Sequence, residues 1–241
     1  MKENKSGNRN IPVLVVFAIG VVALLLLSLN SSSSKGESEV QTTEQYSSQT
    51  PSIQKGSVGG IPYLHCSPSS THMKDLVLLH GAKFSKEDWR TSDILGKLCE
   101  QFSVTALDLN KSAGHNELKQ VLDAMKQDSL SKIPVAIVTP SASGKTIVDW
   151  LGDIQEMKAY IGEWIPVATG IVARADENQL KQLGGLPILA IYGDKDEMGK
   201  RVSNTLGDLS EAKVIEIPGS HPCYLDSPDV FIQQIRKFLS K

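Results

Sequence analysis

The chain has 241 residues, of which 40% are hydrophobic and 22% charged, the make-up of a globular protein with one good-sized core. A formal net charge of −2 supplies no basic face for nucleic acid, and that class is set aside. Three cysteines, Cys66, Cys99 and Cys223, show no C-x-x-C spacing; they exclude a disulfide scaffold, allow at most one bridge and leave an odd thiol.

The first element is the uncharged run Ile11–Leu29, which as a helix of about 19 residues would span roughly 28 Å, close to the hydrocarbon thickness of a bilayer. Lys2, Lys5 and Arg9 precede it, whereas Glu37 and Glu39 follow, so the expected orientation leaves residues 1–10 cytoplasmic and sends the rest of the chain across the membrane, to a lumenal or extracellular location. The competing reading is a cleaved signal peptide and a secreted product, but its apolar region is usually shorter and ends at a small-x-small site that Leu29-Asn30-Ser31 does not clearly provide. Residues 30–58, rich in Ser, Thr, Gln and Glu, read as a flexible stem. Two N-x-S triplets, at Asn30 and Asn110, fall on the far side of this membrane segment.

Residues 59–241 form the expected folded domain. Apolar runs at Leu76–Leu79, Val104–Leu107, Val135–Val138, Ile165–Val172, Ile188–Tyr192 and Val214–Ile217 alternate with segments of helical periodicity, such as Leu118, Val121, Leu122 and Met125. Nearly continuous apolar strands are those covered on both faces, so the prediction is an α/β protein with a mostly parallel sheet and helices on both sides. The connections leave little room for a lid.

Three strand ends carry the chemistry. Val135–Val138 runs into Thr139-Pro140-Ser141-Ala142-Ser143-Gly144, and Ile147, Val148, Trp150 and Leu151 then keep helix spacing, which is the strand–turn–helix setting of a strained nucleophilic serine. Such an elbow needs small residues two before and two after the serine; here these are Thr139 and Ser143. A serine nucleophile needs a base, and the base needs an acid to fix its tautomer. The next strand ends supply both, Asp196 in Gly193-Asp194-Lys195-Asp196 and His221 in Pro218-Gly219-Ser220-His221. Asp194 reads as the turn residue and Asp196 as the acid. Backbone N–H groups of Ala142 and of Ala82, in Leu79-His80-Gly81-Ala82, are the expected oxyanion donors, with His80 bracing that loop. His65, His72 and His115 read as solvated surface residues, Cys223 as a small packing residue, and no metal or cofactor set emerges.

These residues resemble a known family. His80-Gly81, Phe84-Ser85, Trp89, Pro140-Ser141-Ala142-Ser143-Gly144, the segment from Tyr192 to Gly199 and the segment from Gly219 to Asp226 together are similar to the α/β-hydrolase domain-containing protein 14 family, over roughly Gly60 to the C-terminus. The resemblance implies the α/β-hydrolase fold with little cap, Ser141, Asp196 and His221 as triad, and, as in some relatives, an N-terminal anchor. Two departures stand out: Thr139 where the family tends to have serine, and Leu109-Asn110-Lys111-Ser112 where a Pro-Gly turn is usual.

The expected activity is acyl transfer from a small-molecule or acylated substrate through Ser141. Two other readings compete. Residues 139–146, TPSASGKT, end like a phosphate-binding loop but lack its opening glycine, and a non-catalytic interaction domain could be built on the same scaffold.

Overall fold

The structure, a computed structural model, describes residues 52–68 and 74–241. The predicted cytoplasmic N-terminus 1–10, the membrane helix 11–29 and most of the stem lie outside these residues, as does His72. Among the described residues no helix is long and apolar enough to cross a membrane.

In chain order the first elements are β1 (Gln54–Val58), β2 (Ile61–Cys66), β3 (Asp75–Leu78), α1 (Lys86–Thr91), α2 (Ile94–Leu98), β4 (Ser103–Leu107) and α3 (His115–Gln127). Next come β5 (Val135–Pro140), α4 (Lys145–Val148), α5 (Ile154–Tyr160), β6 (Ile161–Val167) and α6 (Glu177–Lys181). The chain closes with β7 (Leu189–Gly193), α7 (Glu197–Ser210), β8 (Lys213–Ile217), α8 (Cys223–Asp226) and α9 (Pro228–Leu239). The described strands form one eight-stranded sheet in the order β1-β2-β4-β3-β5-β6-β7-β8. The β1/β2 and β2/β4 pairs are antiparallel and all others parallel.

Strand alternation sorts the core into two layers. Leu76, Leu78, Ala136, Val138, Ile165, Val167, Leu189 and Ile191 face α1, α2 and α9, meeting Trp89, Leu95, Phe231 and Ile235. Val77, Val135, Ile137, Trp164 and Ala190 face the opposite way, onto Leu118 and Leu122 of α3, Met157 of α5 and Val202 and Leu206 of α7. Each of these large side chains contributes about 1.5–3 kcal/mol by leaving water. The mostly parallel α/β architecture expected from the apolar runs is therefore present.

Several boundaries differ from the expectation. The fold begins before Gly59: Gln54–Val58 is a strand, joined to β2 by Gly59 and Gly60 at φ 56° and 79°, the positive angles a two-residue hairpin turn requires. Only Val58 of β1 is buried, so this edge strand lacks the apolar run that marks a covered one. The run expected as a strand over Ile165–Val172 divides, with β6 ending at Val167 and a 3-10 turn occupying Gly170–Arg174. β6 starts earlier than the apolar run because the half-buried Glu163 is paired with Lys74. The helix expected after Ser141 is broken into a 3-10 turn, the short α4 and a second 3-10 turn, and the Asp153 carboxylate starts α5 by accepting the Glu156 N–H at 2.9 Å.

Cys66 of β2 and Cys99 at the end of α2 form a disulfide, and Cys223 is the free, buried thiol. His65 is not a solvated surface residue: it sits in β2 opposite Thr105, with Nδ1 2.9 Å from the Thr105 hydroxyl. Between β6 and β7 the chain holds only the 3-10 turn and the five-residue α6, so no lid domain stands there.

Candidate active site

β5 ends at Pro140 and delivers Ser141 into a tight turn at φ 52°, a left-handed conformation that costs a non-glycine residue about 1–3 kcal/mol unless its surroundings enforce it. They do enforce it. The Ser143 hydroxyl donates back to the Pro140 carbonyl at 2.9 Å, closing the turn from inside. Gly144 lies so close to Thr169 that a Cβ there would collide with the threonine methyl, and Thr169 in turn donates its hydroxyl to the Thr139 carbonyl at 2.9 Å. Thr139 is fully buried, and its hydroxyl accepts the Trp164 indole N–H at 2.8 Å. Threonine therefore fits where a smaller residue was expected, because its polar atom has a donor and its methyl has a packed place.

β8 ends at Ile217, and the following loop carries His221 back over the sheet edge. His221 Nε2 lies 2.9 Å from Ser141 Oγ, and its Nδ1 lies 2.6 Å from Asp196 Oδ2. Asp196 follows β7 and caps α7: its Oδ1 accepts the Gly199 N–H at 2.9 Å, so the positive end of a helix dipole sits behind the carboxylate. Gly199 is glycine because a Cβ would press on Asp196 Oδ2. Asp194, the other carboxylate of the turn, instead accepts the Gly219 N–H at 2.8 Å. Asp196 is thus the carboxylate that reaches the imidazole, and Asp194 the one that holds the loop after β8.

Sequence reasoning missed two supports of the histidine loop. Asp226 Oδ2 accepts both the Ser220 N–H and the Ser220 hydroxyl at 2.6 Å, and these bonds hold its carboxyl below the usual carboxylate range. Gly193 passes under the carbonyls of Gly219 and Ser220 with no space for a Cβ. The signal for Asp226 was present as a carboxylate five residues beyond the Ser220-His221 pair; Thr169 and Trp164 had none.

Ser141 and His221 open into a cavity of about 500 Å³, walled by Gly81, Ala82, Phe84, Val167 and Tyr224. Ala82 borders the space beside Ser141, and Ala142 is the residue after it at the start of the turn, the two positions expected to aim N–H groups at a developing oxyanion. His80 packs as the brace of this loop, with Nδ1 3.0 Å from the Gly81 carbonyl and Nε2 3.7 Å from Asp108. Cys223 lies behind the site; burial first, then the charges of Asp196 and Asp226, pushes its thiol up to about 12, so it stays protonated at neutral pH and packs rather than attacks. His115 stacks near Trp150, with ring centroids 6.0 Å apart, away from this cavity.

The phosphate-loop reading meets different geometry. Lys145 pairs with Asp149 on the outer side of the turn, and the Thr146 hydroxyl donates to the Ser143 carbonyl at 2.8 Å, so neither is presented toward a common anion. Among the described residues no group of three metal-ligating side chains converges.

No protein-family model matches the chain. Among solved structures, the enol-lactonase from Burkholderia xenovorans LB400 superposes with a TM-score of 0.61 over 78% of this chain and 100% of that one, at 12% identity. The fold is that of the α/β-hydrolases. Among curated proteins, "Putative protein-lysine deacylase ABHD14B" of Rattus norvegicus is 29% identical over 184 residues, 69% of this chain and 83% of the relative. "Protein ABHD14A" of the same species is 26% identical over 181 residues, 70% of this chain and 73% of that protein. Both relatives carry the name of the α/β-hydrolase domain-containing protein 14 family, which the motifs of this chain resemble.

Proposed function

We propose that the chain is a serine hydrolase that cleaves or transfers acyl groups of esters, thioesters or amides through an acyl-enzyme on Ser141. The observation that carries this reading is the unbroken row from Ser141 Oγ through the His221 ring to Asp196, at 2.9 and 2.6 Å, with Ser141 held at positive φ beside an open cavity. Ser141 Oγ bonds to the substrate carbonyl carbon as its proton passes to His221 Nε2. The bond to the leaving alcohol, thiol or amine then breaks as His221 returns the proton, and water reverses the sequence on the acyl-enzyme. Asp196 keeps the imidazole in the tautomer that can accept from Ser141, and the N–H groups of Ala82 and Ala142 take the oxyanion's charge. Protein-lysine deacylation, the activity in the name of the rat ABHD14B relative, falls within the amide class.

The test is labelling of the full chain by a fluorophosphonate probe, comparing wild type, Ser141→Ala and Ser143→Ala. Labelling lost only in Ser141→Ala is the expected result; a folded wild type that does not label would return weight to a non-catalytic role for the scaffold.

The proposed location is a single-pass membrane protein anchored by residues 11–29, with the hydrolase domain lumenal or extracellular. The apolar length of that segment and the basic residues before it support an anchor, and the Cys66–Cys99 bridge fits an oxidising compartment. Protease protection in microsomes tests it.

A further inference from the structure

The loop after β4 carries Asn110-Lys111-Ser112, the acceptor triplet for N-linked glycosylation, and all three residues are exposed. The Asn110 side-chain oxygen accepts the Ser112 N–H at 2.9 Å and the Ser112 hydroxyl at 3.0 Å. A backbone N–H can only donate, so the amide oxygen must face the chain and the amide nitrogen must face outward. That nitrogen, the atom to which a glycan bonds, has no hydrogen-bond partner among the described residues. The flanking Leu109 and Ala113 are buried and anchor the loop, so a bulky group on Asn110 displaces nothing from the core.

Position gives the triplet a consequence. Asn110 and Lys111 border a concavity of about 390 Å³ whose other wall includes Ala82 and Phe84, and these two residues also line the cavity that holds Ser141. A glycan rooted at Asn110 would start from the rim of the concavity that adjoins that cavity through Ala82 and Phe84. The Cys66–Cys99 bridge independently fits the compartment in which such glycans are added.

The geometry points to Asn110 as an N-glycosylated residue whose glycan screens the Ser141 cavity, admitting small acyl substrates and holding back acylated folded proteins. The inference rests on the lumenal placement and, for the screening, on the hydrolase reading given above. In the transfer, the Asn110 amide nitrogen bonds to the anomeric carbon of a lipid-diphosphate-linked oligosaccharide. The carbon–oxygen bond to the diphosphate breaks, the lipid diphosphate leaves, and one amide proton is lost to base.

The full chain, expressed in cells with a secretory pathway, is treated with peptide N-glycosidase F and compared with Asn110→Gln, Ser112→Ala and Ser112→Thr, all in an Asn30→Gln background that also carries Asn4→Gln to remove the triplet Asn4-Lys5-Ser6. The expected result is a mobility shift in the parent that is absent from Asn110→Gln and Ser112→Ala and kept in Ser112→Thr. A parent that does not shift, although its domain is protease-protected in microsomes, overturns the Asn110 assignment and leaves the lumenal placement standing. A domain exposed on the cytosolic side overturns both. Screening is read on the glycosylated parent against Asn110→Gln: a small aryl ester is turned over equally, while deacylation of an acyl-lysine on a folded protein rises severalfold. Equal change on both substrates overturns the screening. A glycosylated chain that turns over neither substrate, with or without its glycan, overturns the hydrolase reading and the screening together but not the glycan.

Discussion

The turn that carries Ser141 and the loop that carries His221 meet at 2.9 Å, yet they are held by different forces. Around Ser141 the supports are buried and crowded: Thr139, Ser143, Gly144 and Thr169 fit against one another with no space for an added methyl at Gly144. Around His221 the loop is more open and three carboxylates hold it, Asp194 at Gly219, Asp226 at Ser220 and Asp196 at the imidazole. Ser141 is positioned by volume and His221 by charge. Its geometry should therefore fail to methyl groups on one side and to lost charge or added protons on the other.

The sharpest way to separate the two sides is Asp196→Asn, which keeps the shape and removes the charge. A loss of about 10⁴ in kcat with an unchanged thermal melt is expected, by analogy with the same change in other serine triads. A drop of tenfold or less would mean that packing alone orients His221. On the other side, Gly144→Ala adds only a methyl, and pressing it against Thr169 should cost about 1–3 kcal/mol and reduce fluorophosphonate labelling. Gly152→Ala is the control, since a Cβ there meets nothing within 4 Å, and it should melt at or above the wild-type temperature.

A smaller effect is expected at Asp226, and it should depend on pH. Its bonds to Ser220 hold the carboxyl below its unfolded value, so the folded state binds fewer protons than the unfolded one. The stabilisation is complete above the unfolded carboxylate pKa, about 3.9, and is lost as pH falls through the lower folded value. Asp226→Asn should thus lower activity modestly near neutrality and flatten the acid-side loss of stability in pH-dependent melts; an unchanged acid limb would show that the carboxylate's charge contributes nothing. Trp164→Phe, which removes the donor to Thr139, should cost about 1 kcal/mol of stability in denaturant titration. The least change is expected at Cys223: with its thiol pushed up to about 12, the native protein should resist iodoacetamide at pH 8, and rapid alkylation would show the pocket behind His221 to be open.

The body of the sheet was legible because covered parallel strands must be apolar on both faces, and Leu76–Leu79 or Val135–Val138 can be little else. The ends of those strands were legible for a related reason: Gly-Asp-Lys-Asp and Pro-Gly-Ser-His are turn chemistry abutting apolar runs, and the fold brings Asp196 and His221 from them to Ser141. What escaped was held by pairs distant in sequence. Trp164 bonds to Thr139 across 25 positions and Cys66 bridges Cys99 across 33, and no local pattern announces either partner. β1 escaped for the opposite reason, being an edge strand whose side chains mostly face water, with only the Gly59-Gly60 turn to mark it.

The Cys66–Cys99 bridge lies at the far end of the sheet from His221, since β2 is next to the edge on one side and β8 forms the other. It fastens the amino-terminal hairpin to α2, and so to the layer packed around Trp89 and Phe231. Edge strands are where a sheet frays first, and a frayed hairpin is a protease substrate long before the rest of the domain opens. Reduction should therefore show itself as limited cleavage near the hairpin while probe labelling at Ser141 persists, which makes the bridge a guard on the protein's lifetime rather than on its turnover.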